Sequence, residues 1–308
     1  MKKALALGTV AFVAACGGDG GSSASNDPFC QQVLPRVAAY MERARAENPT
    51  PSDPRYGGTV VVGTIGEIAD GMNAGVSSDY TATQHQQFVN LMTLIQYDEG
   101  ANPVPHLAES WDMAEDGRAI TFHLRQDIVW HDGEHTDAHD VAFTWDVVTD
   151  PLTAFPNAAF WDHYVKGPEG IEVIDDFTVR IRLEPHAEFL DPFWRTAILP
   201  EHLLADVPHE ALKQHPFGTQ CPVGNGPFVF AEHIAQDRWV FEANPAFPAG
   251  LGGRPFVDRY VYRVIPEETT LLTELLTENI DVYIRPAPDQ SQTIIDDPNT
   301  ELRNYTFR

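Results

Sequence analysis

The chain has 308 residues, 45 acidic against 20 basic, a formal net charge of −25 and a pI near 4.6. An excess of this size repels nucleic-acid phosphates and anionic lipid, so polyanions are excluded as partners. Such a surface would suit cationic or zwitterionic ligands, but the acids are spread along the chain and form no blocks, which marks them chiefly as a solubility or salt adaptation.

Met1–Ala15 reads as an export leader. Lys2 and Lys3 precede an uncharged apolar run, Ala4–Ala15, too short to cross a bilayer as a helix, which takes about 20 residues. Val13-Ala-Ala-Cys16 resembles the lipobox of bacterial lipoproteins, which implies lipid attachment at Cys16 and a protein anchored to a membrane outside the cytoplasm. The span 16–56 is expected as a flexible tether, Gly/Ser-rich over Gly17–Asn26, with one short amphipathic helix at Phe29–Glu47. With Cys16 lipidated, Cys30 and Cys221 remain, either as a disulfide or as two buried thiols.

Gly57-Gly-Thr-Val-Val-Val-Gly63 has the pattern of a buried strand. A polar stretch follows, in which Asn73, Ser77, Ser78 and Asp79 are the candidate ligand-binding groups; an ordinary polar loop is the alternative. A helix is expected from Thr83 to Leu94 with Phe88, Leu91 and Met92 inward.

Pro103–Val148 is the most informative stretch. Ser110–Met113 and Ala119–Leu124 form a hairpin about Asp116-Gly117, where the turn needs positive φ. Thr136 or Asp137 then caps a helix, and Asp140 suits its first turn. Trp161, Asp162 and Tyr164 form an aromatic cluster, either lining a pocket or packed in a core. Gly170–Leu183 is a second hairpin, with its turn at Asp175-Asp176. Strands are expected at Phe228–His233, Trp239–Glu242, Arg254–Ile265 and Asn279–Val282, with a helix at Glu267–Glu278 and a last strand at Glu301–Arg308.

Several of these pieces, in order, resemble the signature of the family 5 solute-binding proteins, the peptide- and nickel-binding receptors of bacterial ABC importers. They are His106-Leu-Ala-Glu-Ser-Trp111, Asp116-Gly117, Thr121-Phe-His-Leu-Arg125, Trp130-His-Asp-Gly133 and Ala138–Phe143, followed by Pro222-Val-Gly-Asn-Gly-Pro-Phe228 and Asn244-Pro245. The resemblance runs from Gly57 to Val282. It implies an α/β, type II periplasmic-binding fold of two lobes with mixed sheets, lobe I at 57–266 and an incomplete lobe II at 267–308, truncated there because family members are longer. It also implies a monomer without cofactor that captures a peptide or similar small solute and delivers it to ABC permease subunits. A ligand sensor and a peptide chaperone share this sequence pattern. A metal-dependent hydrolase is the remaining alternative; His131, His135 and His139 recur every four residues, but Gly133 interrupts any helix through them. No Gly-x-Ser-x-Gly, phosphate-cradling, Cys-x-x-Cys or His-Glu-x-x-His motif occurs.

Overall fold

A computed structural model describes residues 26–77 and 79–297. The leader, Cys16, Ser78 and the strand expected at 301–308 lie outside them. The strands are β1 Thr59–Thr64, β2 Ile95–Tyr97, β3 Pro103–Pro105, β4 Ala108–Met113, β5 Ala119–Leu124, β6 Ile171–Asp175, β7 Thr178–Arg182, β8 Phe228–Ile234, β9 Arg238–Ala243, β10 Arg259–Val264 and β11 Val282–Tyr283. The α-helices are α1 Pro28–Glu47, α2 Tyr80–His85, α3 Ala138–Thr149, α4 Asp191–Arg195, α5 Glu201–Leu204, α6 Pro216–Thr219, α7 Glu268–Leu276 and α8 Pro288–Asp296.

Two sheets organise the chain. The first is mixed, in the order β11-β1-β10-β9-β8, with β1 parallel to both neighbours and β8, β9 and β10 antiparallel. Its side chains alternate between faces as a strand dictates. Val62, Trp239, Phe241 and Tyr262 bury one face with Met72 and Ala82, while Val61 meets Leu271, Leu275 and Ile280 on the other. A Cβ at Gly63 would fall 2.4 Å from Ile280 Cδ1 and 2.7 Å from Leu271 Cδ2, so the strand is bare there to admit α7 and the chain entering β11. Val282–Tyr283 thus adds a strand to the sheet that β1 and β10 begin, and α7 packs on its face.

The second sheet is antiparallel, β4-β5-β7-β6. Ile120, Phe122 and Leu124 of β5 and Val179 and Ile181 of β7 face the main core, on which α3 lies with Val141, Trp145 and Val148. The hairpin turns as its sequence demands. Gly117 takes φ +68°, and the Arg118 N–H donates to Asp116 Oδ1 at 3.0 Å. Asp137 is the N-cap of α3 and forms a capping box with Asp140. The Thr136 hydroxyl instead accepts from Asn225 Nδ2.

Pro28–Glu47, placed inside the tether by its sequence position, is built into the main core. Cys30, Val33, Val37, Tyr40, Met41 and Ala44 are buried at roughly helical spacing. A disulfide joins Cys30 to Cys221. The Tyr40 hydroxyl donates to Asn244 Oδ1 at 2.9 Å, Arg36 pairs with Asp132 at 2.9 Å, and Arg45 pairs with Glu242. Burying a large apolar side chain contributes about 1.5–3 kcal/mol, so this face alone binds the helix to the body.

The helix expected at Thr83–Leu94 is shorter. The α-turns end at His85, a π-helical turn covers Gln86–Asn90, and Leu91 is extended. Neighbouring segments claim the backbone from that point. The Asn90 carbonyl accepts from Gly226, Met92 O from Ile198, Thr93 O from Leu107 and Leu94 O from Ala108. Leu91, Met92 and Leu94 are therefore buried from an extended segment, and Phe88 faces outward. The strand expected from Arg254 begins only at Arg259, because Phe256 O turns aside to accept from Gly57 N.

Candidate functional site

In open sheets with parallel strands, ligands bind beyond the carboxyl ends of those strands. Here those ends are Thr64 of β1, Val264 of β10 and Tyr283 of β11. Ile65 follows β1 and is 53% exposed; Tyr80 opens α2 at 54%; Ile284 and Arg285 follow β11 and are exposed. The Ile284 N–H donates to Gly63 O, which brings the exit of β11 beside that of β1. The Arg285 guanidinium lies over the Tyr80 ring, 4.1 Å from its centroid. Two aliphatic side chains, an aromatic ring and a cation thus stand exposed at one end of the sheet.

The groups beneath are fixed and uncharged. His85 is buried, which holds its imidazole down at about 4, so it is neutral at physiological pH. Its Nδ1 faces Thr81 O at 2.7 Å and must carry the proton; Nε2 then accepts from the Tyr260 hydroxyl at 2.8 Å. The Tyr262 hydroxyl reaches Gly66 O at 2.9 Å and Thr64 Oγ1 at 3.2 Å. Beside them Glu67 is half-buried. Burial raises its pKa, but the His233 imidazole 3.5 Å away and hydrogen bonds donated by Gln236 N, Trp239 Nε1 and Ile68 N outweigh that and bring it to about 2.

Of the candidate residues from the sequence, Asn73 and Ser77 face inward, Asp79 caps α2 directly before Tyr80, and Trp161 lies in the core. Asn73 is fully buried; its Nδ2 donates to Leu212 O at 3.1 Å and its Oδ1 accepts from Gly75 N at 3.1 Å. Ser77 Oγ donates to Ala69 O at 3.1 Å. Asp79 caps α2 by accepting from Ala82 N at 2.9 Å. This stretch is drawn inward because it packs tightly: a Cβ at Gly71 would stand 1.9 Å from Gly218 O, and one at Gly75 2.7 Å from Val147 Cγ1.

Trp161 is in the core, among Trp145, Tyr164 and Phe193 at ring-centroid distances of 5.4–5.7 Å. The adjoining cavity is about 10 Å³, room for no more than a single water, and Asp162 points outward to Lys166. His131 is buried with Nε2 on Gly226 O, whereas His135 and His139 are exposed. No group of three or more His, Cys, Asp or Glu side chains among the described residues is arranged to hold a metal.

Sequence reasoning missed Tyr80, Ile284 and Arg285. The available signal was an arginine three residues after the Asn279-Ile-Asp-Val282 stretch of an otherwise acidic chain.

Residues 102–307, more than half of the chain, match the family described as bacterial extracellular solute-binding proteins, family 5 Middle. The oligopeptide-binding protein AppA of Bacillus subtilis is 30% identical over 238 residues, covering 77% of this chain and 42% of that protein. The solved structure of AppA from Bacillus subtilis, in complex with a nonapeptide, is similar at a TM-score of 0.71 and 29% identity, over 78% of this chain and 46% of that one. NikZ from Campylobacter jejuni, solved in complex with Ni(L-His), is similar at a TM-score of 0.68 and 27% identity, over the same shares. The chain spans less than half the length of these relatives. Its mixed α/β architecture is that of periplasmic binding proteins of this type, and by its family match the chain belongs to the family 5 bacterial extracellular solute-binding proteins.

Proposed function

We propose that this chain supplies part of a receptor that captures peptides or a similar small solute outside the cytoplasmic membrane and passes it to an ABC permease. The observation that carries the reading is the family match over residues 102–307, joined to an exposed apolar and cationic crest at the carboxyl ends of three parallel strands. Peptide as the ligand class is supported by AppA, whose solved complex holds a nonapeptide; NikZ, with Ni(L-His), keeps a metal–amino-acid chelate as the second class. Capture works by differential affinity. A second lobe closing over the crest stabilises the liganded form, and no bond in the solute changes.

The tether and anchor belong to the same proposal. Cys16 carries the lipid, the protein works as a monomer at the periplasmic face or cell surface, and Asn73, Ser77 and Asp79 shape the floor behind the crest. The test is native mass spectrometry of the full-length protein that carries this sequence, purified without refolding. A peptide retained at unit stoichiometry is the expected result; an unmodified apoprotein that also ignores a random tetrapeptide pool overturns the reading.

A further inference from the structure

We propose that Arg285 is the group that receives a carboxylate of the captured solute, so that the receptor selects ligands bearing a free carboxylate. The inference rests on the receptor reading above and names its ligand chemistry.

Three observations carry it. The first is pairing. In a chain with 45 acidic and 20 basic residues, most described arginines and lysines are held by carboxylates, as in Arg36–Asp132, Arg125–Asp127, Arg254–Asp258 and Arg263–Glu274. Arg285 is an exception: among the described residues no carboxylate pairs with it, and its guanidinium lies over the Tyr80 ring instead. The nearest acid in sequence to that ring, Asp79, has its carboxylate engaged at the N-cap of α2.

The second is geometry. A guanidinium laid on an aromatic face keeps the N–H donors along its edge, in the planar fork that grips a carboxylate through two bonds. The Tyr80 ring therefore fixes the cation without occupying the donors that an anion needs. Ile65 and Ile284, exposed at the same strand ends, offer the rest of such a ligand an apolar seat.

The third is strain. Arg285 has φ +59°, in the left-handed region, and it precedes Pro286, where extended backbone is the norm. Backbone held this way collects at ligand clamps. Here it turns the chain at the exit of β11, where the side chain meets the crest. The wider field of so acidic a body opposes any anion, so a local guanidinium decides whether a carboxylate binds.

The experiment uses the full-length protein and isothermal titration with two acid–amide pairs, tetra-alanine against tetra-alanine amide and succinate against succinamide. The wild type is expected to bind at least one acid tenfold or more tightly than its amide. Arg285→Gln brings that ratio to within twofold, with an unchanged melting temperature. Arg285→Lys, which keeps the charge but not the fork, leaves an intermediate ratio, and Tyr80→Phe, which keeps the ring, leaves it as in the wild type. An acid–amide ratio that survives Arg285→Gln, or the absence of any acid preference in the wild type, overturns the proposal. If both tetra-alanine forms bind equally, the peptide-receptor reading stands and this inference falls. If only succinate binds, and does so through Arg285, the inference stands and peptide as the ligand falls.

Discussion

Cys30, at the start of α1, is bonded to Cys221, 191 residues further along the chain and next to α6. Closing so long a loop in the unfolded state contributes about 5 kcal/mol in the chain-entropy model. A Cys30→Ser, Cys221→Ser variant is expected to lose about 3–5 kcal/mol, read as a lower urea midpoint. Adding reductant should bring the wild type to the same midpoint and leave the variant unmoved.

Glu67 makes stability depend on acid. Its carboxyl sits at about 2 in the folded chain against an ordinary 4.5, so the unfolded state binds the proton more readily. Its contribution is complete above pH 4.5 and is lost as pH falls from there towards 2. Allowing for partial solvent screening, about 2 kcal/mol is at stake. Glu67→Gln should lose that amount at pH 7 and flatten the fall in melting temperature between pH 4.5 and 3, measured by differential scanning calorimetry.

Gly71 tolerates no side chain. It has φ +63°, and a Cβ would stand 1.9 Å from the Gly218 carbonyl, which itself accepts from Met72 N at 2.7 Å. Gly71→Ala is expected to cost about 3 kcal/mol or more, from backbone strain and overpacking together. Chemical denaturation of the purified variant against wild type measures it.

Asn73 and Arg285 should separate cleanly in a binding assay. Asn73→Ala removes two buried hydrogen bonds and is expected to cost roughly 2–3 kcal/mol of stability, with ligand affinity of the folded protein within twofold of wild type. Arg285→Gln should do the reverse. Equal loss of affinity in both variants would make Asn73 a direct ligand contact and not only part of the floor behind the crest.

Local chemistry made much of the fold legible in the sequence. Asp116-Gly117 specified its hairpin because few residues take positive φ there, and Asp137 specified the start of α3 because helix N-termini need an acceptor. Two of the residues that carried the family resemblance hold the core together: Trp130 Nε1 donates to Asp140, and His131 Nε2 to Gly226 O. What stayed hidden was decided at long range. Phe88 lies in a stretch whose periodicity reads as one helix, and distant segments closing on Asn90, Met92, Thr93 and Leu94 end that helix early. Asn73 and Ser77 look like surface polar groups until Leu212 O and Ala69 O arrive as their partners. Tyr80 and Arg285 are 205 positions apart, and no local pattern signals that their side chains meet.

The way α1 is fastened has a mechanical consequence. A pull on the chain ahead of Asp27 reaches Cys30 within one helical turn and passes through a covalent bond into the segment at Cys221. Further along the helix Arg36, Tyr40 and Arg45 hold the body through Asp132, Asn244 and Glu242. Load from that end is thus borne by a staple before any strand hydrogen bond feels it, and the sheets keep their register while it holds.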